Sequence, residues 1–338
     1  MTLPSRLQLD SAALLHNWRL LQRLSGPAAC GAAVKADAYG LGAREVVRRL
    51  LEAGCRDFFV ASWAEAAALA DTGATVSVLH GVREEDMPLA TRLRHARPVL
   101  NTPGQVARWR GHGACDVMVD TGMNRLGLAA GDLGLVEGLA IDTLLSHLAS
   151  ADEDSALNAR QRSAFAGLAG QTSARRMSLA NSAGIGLGAD FAFDLTRPGL
   201  ALYGGVPRAA LGGVRQVVSP QAQVLQRRRV PAGQTVGYNA LWTAPEDTEV
   251  AILNIGYADG YFRGFSDRGT AKAGDTILPV IGRVSMDLTA VNVSAAAEIG
   301  EGDWLVLDFA LPEAAARSGM SQYELLTSLG ARFERVWS

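Results

Sequence analysis

The sequence has few of the features that mark secreted, membrane or metal-binding proteins. Its three cysteines, Cys30, Cys55 and Cys115, are odd in number and far apart. They form no disulfide framework and no zinc-type or redox pair, and they fit a reducing compartment. No apolar run approaches the roughly 18 residues of a membrane span, and the N-terminus lacks the regions of a signal peptide. We therefore expect a cytoplasmic protein with no membrane partner and no metal.

An excess of charge of one sign is also missing. The chain carries 32 basic and 34 acidic residues, and no basic run suggests a nucleic-acid partner. Low-complexity segments are absent, so extensive disorder is excluded. What is present is an apolar fraction of 48% over 338 residues, enough for large cores and for two domains.

Short apolar runs alternate with stretches of helical spacing over the first 215 residues, which is typical of a parallel sheet. The opening helix is expected at AALLHNWRLLQRL, capped by Asp10 or Ser11. Eight runs favour a closed (β/α)8 TIM barrel over an open sheet. The runs are Gly31–Val34, Phe58–Ala61, Val76–His80, Pro98–Leu100, Asp116–Val119, Thr143–His147, Met177–Ala180 and Phe193–Thr196. The helices are expected at Ala43–Leu51, Ala64–Asp71, Gln105–Arg110 and Asn158–Leu168.

The pattern changes near residue 215. Turn-separated β-prone segments follow, such as Glu249–Ile255, Ile277–Arg283 and Trp304–Phe309, and helical spacing returns only at Tyr323–Leu329. The predicted fold class is therefore α/β, with a barrel over residues 10–215 and a mainly β domain over residues 216–338.

Chemistry in a barrel lies at the carboxyl ends of the strands, and Lys35 directly follows the first run, GAAV. Burial at such a position favours the neutral, nucleophilic amine. A lysine of this kind can form an imine with an aldehyde cofactor. The structural alternative is a solvated lysine at a strand end, and position alone does not separate the two.

Other strand ends carry residues suited to binding anions. Arg125 follows the fifth run and offers a planar fork to a carboxylate or phosphate. Ser182, Arg197 and Gly199 follow the last two runs, where barrels often bind phosphate. His147 ends the sixth run. Each has an ordinary interpretation too: a lone histidine is more often structural than a ligand, and a glycine can simply relieve a crowded turn.

Eight motifs occur in an order that resembles bacterial alanine racemases and covers nearly the whole chain from Lys35. Any one motif is weak, but together they make a specific signature. The motifs are KADAYGLG, GMNRLG, SHLASAD, ANSAG, RPGLALYGG, VGYNALWTA, IGYADGYFR and GRVSMDL.

The resemblance implies a pyridoxal 5'-phosphate (PLP) enzyme that interconverts L- and D-alanine, the latter a peptidoglycan precursor. It implies a head-to-tail homodimer whose active sites are shared, and it assigns residues 1–9 to the β domain. Racemisation requires bases on both faces of the α-carbon. The resemblance assigns them to Lys35, the Schiff-base lysine, and to Tyr238 of the partner subunit.

The remaining roles are implied by motif position. Arg197 resembles the residue facing the pyridine nitrogen, and His147 a link between the tyrosine and Arg197. The residues that match the family's contacts to the cofactor phosphate are Tyr39, Ser182, Gly199 and Leu200. The groups that match contacts to the substrate carboxylate are the Arg125 side chain and the Met286 backbone. The residues that match the lining of the substrate entry path are Asp152 and Tyr257.

Three positions depart from common family patterns. Met118 stands where some members place a carboxylated lysine that positions the arginine, Ala331 where some have a tyrosine, and Asn239 where glycine is frequent. The alternatives are a serine or broad-specificity racemase, a barrel-type PLP-dependent decarboxylase, and a barrel-only, non-catalytic PLP-binding protein. Biosynthetic and catabolic roles both stay open.

Overall fold

The computed structural model describes residues 3–338, and the chain divides into two compact units. The α/β unit is Leu14–Arg215. The β unit is Gln216–Ser338 together with the described residues before Leu14. Among the described helices, none has both the length and the apolar character that crossing a bilayer requires.

The α/β unit is built on short, buried parallel strands. Seven of them pair in chain order, β3 to β9, with registers such as Ala33 opposite Phe59. A parallel register places all carboxyl ends at one edge of the sheet. The strands are β2 (Ala29–Cys30), β3 (Ala32–Ala33), β4 (Asp57–Val60), β5 (Thr75–Val78), β6 (Ala96–Leu100), β7 (Cys115–Met118), β8 (Ile141–Leu145), β9 (Arg176–Ser178) and β10 (Leu195–Thr196).

Helices follow most of these strands, and polar side chains mark where they begin. Asp10 accepts a hydrogen bond from the Ala13 N–H at 2.8 Å, Ser62 caps α4 and Thr102 caps α6, which satisfies amides of the first turn. The helices are α1 (Ser11–Leu24), α2 (Lys35–Tyr39), α3 (Ala43–Ala53), α4 (Trp63–Ala68), α5 (Met87–Ala90), α6 (Pro103–Trp109), α7 (Ala156–Ala166) and α8 (Ser182–Ile185).

Backbone hydrogen bonds continue beyond the seven paired strands. The strand β10 pairs in parallel with β2, and Gly31 N–H donates to the Thr196 carbonyl at 2.9 Å. On its other side, Arg197 N–H donates to the Ala180 carbonyl at 2.8 Å. The chain around Leu195–Thr196 is therefore bonded to both ends of the series.

The β unit is a mainly antiparallel sheet of eight strands in the order β14-β17-β16-β15-β18-β11-β1-β19, and the long β11 also pairs with β14. The segment Ser5–Leu9 pairs antiparallel with β11 and parallel with β19. The elements are β1 (Ser5–Leu9), β11 (Val218–Val230), β12 (Thr235–Val236), β13 (Trp242–Thr243), β14 (Thr248–Leu253), β15 (Thr270–Ala273), β16 (Thr276–Ile281), β17 (Thr289–Asn292), β18 (Trp304–Leu307), β19 (Glu334–Trp337), α9 (Leu311–Ser318) and α10 (Gln322–Thr327).

All eight predicted runs of the first 215 residues contain strand, and the four expected helices are present with ends shifted by a few residues. The expectation that no helix precedes Tyr323–Leu329 in the β unit was wrong. Leu311–Ser318 is a helix that carries a proline in its first turn and ends at left-handed Gly319. Its buried face is only Leu311 and Ala314, too short for a clear period of 3.6.

A buried ionic network lies toward the amino-terminal ends of the strands, away from Lys35. Asp116 is fully buried and accepts bonds from Arg97 Nε at 2.9 Å and Ser77 Oγ at 2.6 Å. Arg97 also pairs with Asp142, which in turn pairs with Arg176. Burial raises the pKa of Asp116 and Arg97 opposes that rise. The network links five strands at the amino-terminal edge of the sheet, opposite the edge that carries Lys35.

Replacing Arg97 should therefore destabilise the chain strongly. Arg97→Met leaves the Asp116 carboxylate buried without its cation, which should lower the free energy of unfolding by about 3–5 kcal/mol. Urea unfolding at neutral pH measures it. Arg83→Met is the control, since Arg83 forms an exposed pair with Asp86 and its loss should matter little. Equal effects of the two substitutions would contradict the role of the network.

Candidate active site

Lys35 lies at the carboxyl edge of the parallel sheet, two residues after β3. The pKa of its amine is lowered, first by burial and then by the positive charge of Arg125. Arg197 lowers that pKa further, whereas the carboxylate of Glu65 opposes the change. A lysine whose pKa is lowered is more often neutral, and the neutral amine is the nucleophile.

The chain after Lys35 takes a left-handed turn. Ala36, Asp37, Ala38 and Tyr39 all have positive φ angles, between 52° and 57°. The turn buries the Tyr39 ring 5.0 Å from the ring of Tyr203, whose hydroxyl donates to the Ala33 carbonyl at 2.9 Å. Tyr39 is thereby anchored beside the strand that precedes Lys35.

Arg197 is the fixed cation of the site. Its side chain is buried, and its guanidinium donates to Ser178 Oγ and, at 2.7 Å, to the Ser146 carbonyl. Among the described residues no carboxylate forms an ion pair with it. Burial lowers its pKa to about 10, and Asp116 opposes that change. Arg197 therefore stays charged at neutral pH while bound by neutral acceptors.

His147 follows β8 and is a neutral imidazole at physiological pH. Burial, and then the charges of Arg197, Arg125 and Lys35, lower its pKa to about 3. Its backbone is held by Gln161, whose Nε2 donates to the His147 carbonyl at 2.9 Å. The other end of the same amide accepts from Ala149 N–H at 2.8 Å. Gln161 is fully buried on α7 and fastens the loop that carries His147.

Arg125 is exposed on the loop after β7. Two backbone positions shape this loop: Asn124 has φ +56° and Gly127 has φ +131°. A Cβ at Gly127 would lie 2.6 Å from the Asp120 nitrogen, so only glycine fits. Met118 is buried on β7 and offers no charge to the guanidinium. No hydrogen bond or ion pair is found for Arg125 within residues 3–338.

A cradle of small residues surrounds Ser182. Its Oγ accepts hydrogen bonds from Gly199 N–H at 2.9 Å and Ala201 N–H at 3.1 Å, so its own hydrogen can be donated to another group. A Cβ at Gly199 would overlap the Tyr39 hydroxyl and lie 2.8 Å from its ring carbon Cζ. The buried Leu200 begins the short 3₁₀ turn that follows. These residues can hold an oxyanion.

In the β unit, Tyr238 stands on a 3₁₀ turn with 67% of its surface exposed. It borders a cavity of about 510 Å³ lined also by Arg283, Ser285 and Leu288. The next residue, Asn239, has φ +62°. Asparagine and glycine both tolerate this left-handed conformation, which explains how Asn239 can stand where relatives often have glycine.

Tyr257 and Met286 lie together in the same unit. Tyr257 N–H donates to the Ser285 carbonyl at 3.0 Å, and the Met286 carbonyl accepts from Ala258 N–H at 3.0 Å. Arg332 ties this pair of turns by bonds of 2.7 Å to both Asp259 and Asp287. Ala331, which precedes it, is exposed and presents no hydroxyl.

The predicted residues thus form one group in each unit. The α/β unit gathers, at one edge, Lys35, Tyr39, Arg125, His147, Ser182, Arg197, Gly199 and Leu200. Asp152 lies exposed in the turn after β8. The β unit carries Tyr238, Tyr257 and Met286.

Sequence reasoning missed three residues that hold the first group in place. Glu65 forms the S-x-x-E capping box of α4 with Ser62, a pattern visible in the sequence. Its contact with the turn after Lys35 is not visible there. Gln161 and Ser178 had no recognisable signal, since each acts through a partner distant in the chain.

A lysine amine that loses its proton easily can attack a carbonyl carbon. Its position beside a fixed cation and an oxyanion cradle, at the carboxyl edge of parallel strands, is typical of α/β enzymes with a nucleophilic lysine. The comparisons with known proteins identify the class further. Residues 9–207 match the family model "Alanine racemase, N-terminal domain". Residues 217–337 match "Alanine racemase, C-terminal domain".

Individual relatives agree along the whole chain. An alanine racemase of Acidiphilium cryptum is 41% identical over 98% of both chains. A catabolic alanine racemase of Agrobacterium fabrum is 39% identical, over 98% of this chain and 91% of its own. The structure of the Bartonella henselae alanine racemase, with covalently bound pyridoxal phosphate, matches with a TM-score of 0.89 and 34% identity over 99% of both chains.

The chain belongs to the alanine racemase family, as its motifs predicted. The C-terminal match argues against a barrel-only PLP-binding protein, and the family membership argues against a decarboxylase.

The cradle leads to a steric prediction. Gly199 has a negative φ of −129°, and a Cβ added there would overlap the Tyr39 hydroxyl, so Gly199→Ala should push Tyr39 away. We expect it to lower the free energy of unfolding by about 1–3 kcal/mol, measured in urea. The control is Gly167→Ala at φ −63°, where the added Cβ meets its nearest neighbour at 3.5 Å. An unaffected Gly199→Ala would contradict the overlap.

His147 should make stability depend on pH. Its folded pKa of about 3 lies below the ordinary 6.5. Between these values the unfolded chain therefore binds more protons, and stability falls as the pH falls. His147→Asn should reduce that slope by up to about 1.4 kcal/mol per pH unit. Urea unfolding at several pH values within this window measures the slope. Parallel curves for the two proteins would disprove the assignment.

Proposed function

We propose that this chain is an alanine racemase that uses two bases, Lys35 on one face of the substrate α-carbon and Tyr238 of a partner subunit on the other. The observation that carries the proposal is the lowered pKa of Lys35 beside Arg125 and Arg197, in a chain of this family. The reaction class is isomerisation, and the cofactor is PLP. A second candidate function has no comparable support.

The residues at the sheet edge fit this cofactor. Lys35 offers an amine that is readily neutral, the hydroxyl of Ser182 is free to donate, and Gly199 leaves no room for a side chain beside Tyr39. We assign the phosphate to Tyr39, Ser182, Gly199 and Leu200, and the ring nitrogen to Arg197. When bound, PLP withdraws electrons from the substrate and acidifies its α-hydrogen.

The chain's own groups then bind the substrate and move the proton. The exposed guanidinium of Arg125 is suited to pair with the substrate carboxylate, with the Met286 backbone as a second contact. The neutral amine of Lys35 accepts or returns the α-proton at Nζ, and the phenol oxygen of Tyr238 does the same from the opposite face. The neutral imidazole of His147 links the tyrosine to Arg197. Asp152 and Tyr257 line the path of the substrate.

The charge of Arg197 gives this arrangement its specificity for proton transfer. Arg197 is bound by Ser178 and Ser146. Its pKa of about 10 makes the charged guanidinium a weak acid at neutral pH, so it does not transfer its proton to a ring nitrogen. We infer that this restrains side reactions such as transamination, because full protonation of the ring would spread the negative charge more widely.

The fold proposed for the α/β unit is a closed eight-stranded barrel. Its support is the pair of hydrogen bonds at 2.9 Å and 2.8 Å that join the Thr196 and Arg197 backbone to Gly31 and Ala180. We take residues 10–215 as this barrel and residues 216–338 as the second domain, joined by residues 1–9. The pairing of Ser5–Leu9 with β11 supports the last assignment.

The homodimer is part of the proposal. Tyr238 and Met286 are largely exposed, with Leu241 and Leu288 also on the surface of the β unit. Apolar groups that collect on a surface suit coverage by another chain. Three free, buried thiols fit the reducing cytoplasm. We propose that the protein supplies D-alanine for peptidoglycan in this compartment.

Subunit complementation tests the shared site. Lys35→Ala and Tyr238→Phe should each lower kcat for alanine by a factor on the order of 10²–10⁴. When the two variants are mixed and refolded together, half of the dimers pair one chain of each kind. One of the two sites in such a dimer has both bases, so roughly a quarter of the wild-type activity should return.

A chiral assay with alanine, serine and lysine measures both the activity and the substrate preference. If the mixture recovers no activity although mixed dimers form, the two bases belong to the same chain. If Tyr238→Phe racemises alanine as fast as the wild type, the two-base assignment is wrong.

A further inference from the structure

The turn that follows Lys35 is energetically unfavourable by itself. Residues Ala36–Tyr39 all adopt the left-handed conformation. This conformation is unfavourable for a residue with a Cβ, and none of the four is glycine. Such a run persists only when surrounding contacts hold it. The contacts that hold it also hold Lys35.

Glu65 accepts a hydrogen bond from the residue that follows Lys35. Its Oε1 accepts from Ala36 N–H at 2.8 Å, and its Oε2 accepts from Ala61 N–H at 2.6 Å. Ala36 and Ala61 follow the adjacent parallel strands β3 and β4. One carboxylate therefore joins the ends of two strands by charge-assisted bonds, which are stronger than neutral ones.

The rest of the turn is tied further along. Asp37 Oδ1 accepts from Ala43 N–H at 2.7 Å, and the Gly42 N–H donates to the Asp37 carbonyl at 2.9 Å. These bonds close the turn onto α3. The bond from Ala36 to Glu65 instead acts on the residue next to Lys35.

Glu65 is also the anion among the charges that act on Lys35. The others are the cations Arg125 and Arg197, and His147 is neutral at physiological pH. Without Glu65 the amine would face two cations and no opposing charge. The same carboxylate thus acts on both the position of Lys35 and its protonation.

We propose that Glu65 is a positioning residue for Lys35: its carboxylate holds the left-handed turn in place and moderates the charge at the lysine amine. The proposal rests on the proposed function, in which Lys35 binds PLP and moves the proton.

The test uses the full-length protein freed of PLP, and the rate at which PLP is bound by Lys35 is followed by absorbance across a pH series. Only the neutral amine reacts, so the midpoint of the rate profile reports the protonation of Lys35. Glu65→Gln removes the charge and one of the two acceptor oxygens. We expect the midpoint to fall by roughly half a pH unit or more, and the affinity for PLP to weaken by about tenfold.

Two variants separate charge from geometry. Glu84→Gln is the matched control, since Glu84 forms an exposed pair with Arg108 and should match the wild type. Ala36→Gly added to Glu65→Gln should recover part of the affinity, because glycine adopts the left-handed turn without strain. The midpoint should stay low, because the charge is still missing.

The outcomes are distinct. If Glu65→Gln changes neither midpoint nor affinity, the proposal is overturned. If Glu65→Gln lowers the melting temperature but leaves the midpoint and the PLP affinity unchanged, Glu65 is only a helix cap and the proposal is overturned. If Ala36→Gly recovers no affinity, the stabilisation of the turn by Glu65 is wrong. If wild type and Lys35→Ala bind PLP at the same rate and affinity, the proposed function itself fails.

Discussion

The rest of the site depends on the buried, positively charged guanidinium of Arg197 and on the hydrogen bonds that hold it. Its guanidinium is held by Ser178 and by the Ser146 carbonyl rather than by a carboxylate. Burial lowers the pKa of both Lys35 and His147, and the charge of Arg197 lowers both further. A paired arginine would leave those pKa values closer to their ordinary range. Burial and this cation thus act in the same direction on an amine and an imidazole, and both favour the neutral form.

This arrangement requires firm support, because a buried charge and a left-handed turn are both costly. The support comes from residues that touch no reacting atom in the proposed mechanism. Glu65 ties the strand ends beside Lys35, and Gln161 ties the loop that carries His147. At the opposite ends of the strands, the ionic network around Asp116 stiffens the sheet itself. Reactivity and rigidity therefore lie at opposite edges of the same strands.

Two departures from the family pattern have different physical weight. Asn239 is accommodated, since its φ of +62° suits asparagine as well as glycine. Met118 has no compensating change: it is buried near Gly127, and no side chain of the described residues forms a hydrogen bond or ion pair with Arg125. The arginine of this chain is thus held mainly by the shape of its loop, set by Asn124 and Gly127.

Periodicity and motif order were enough to predict the parallel strands, the β-rich C-terminal region and the family, because these features depend on local patterns of apolar residues and on short strings. Lys35, Arg125 and Arg197 could be predicted as site residues because each follows a strand that the local pattern reveals. The helix Leu311–Ser318 escaped prediction because it buries only two side chains. Glu65, Gln161 and Ser178 escaped it because their partners are brought near only when strands pair in register. The left-handed turn after Lys35 could not be foreseen either, since alanine, aspartate and tyrosine prefer other conformations when isolated and adopt this one under the hydrogen bonds of the folded chain.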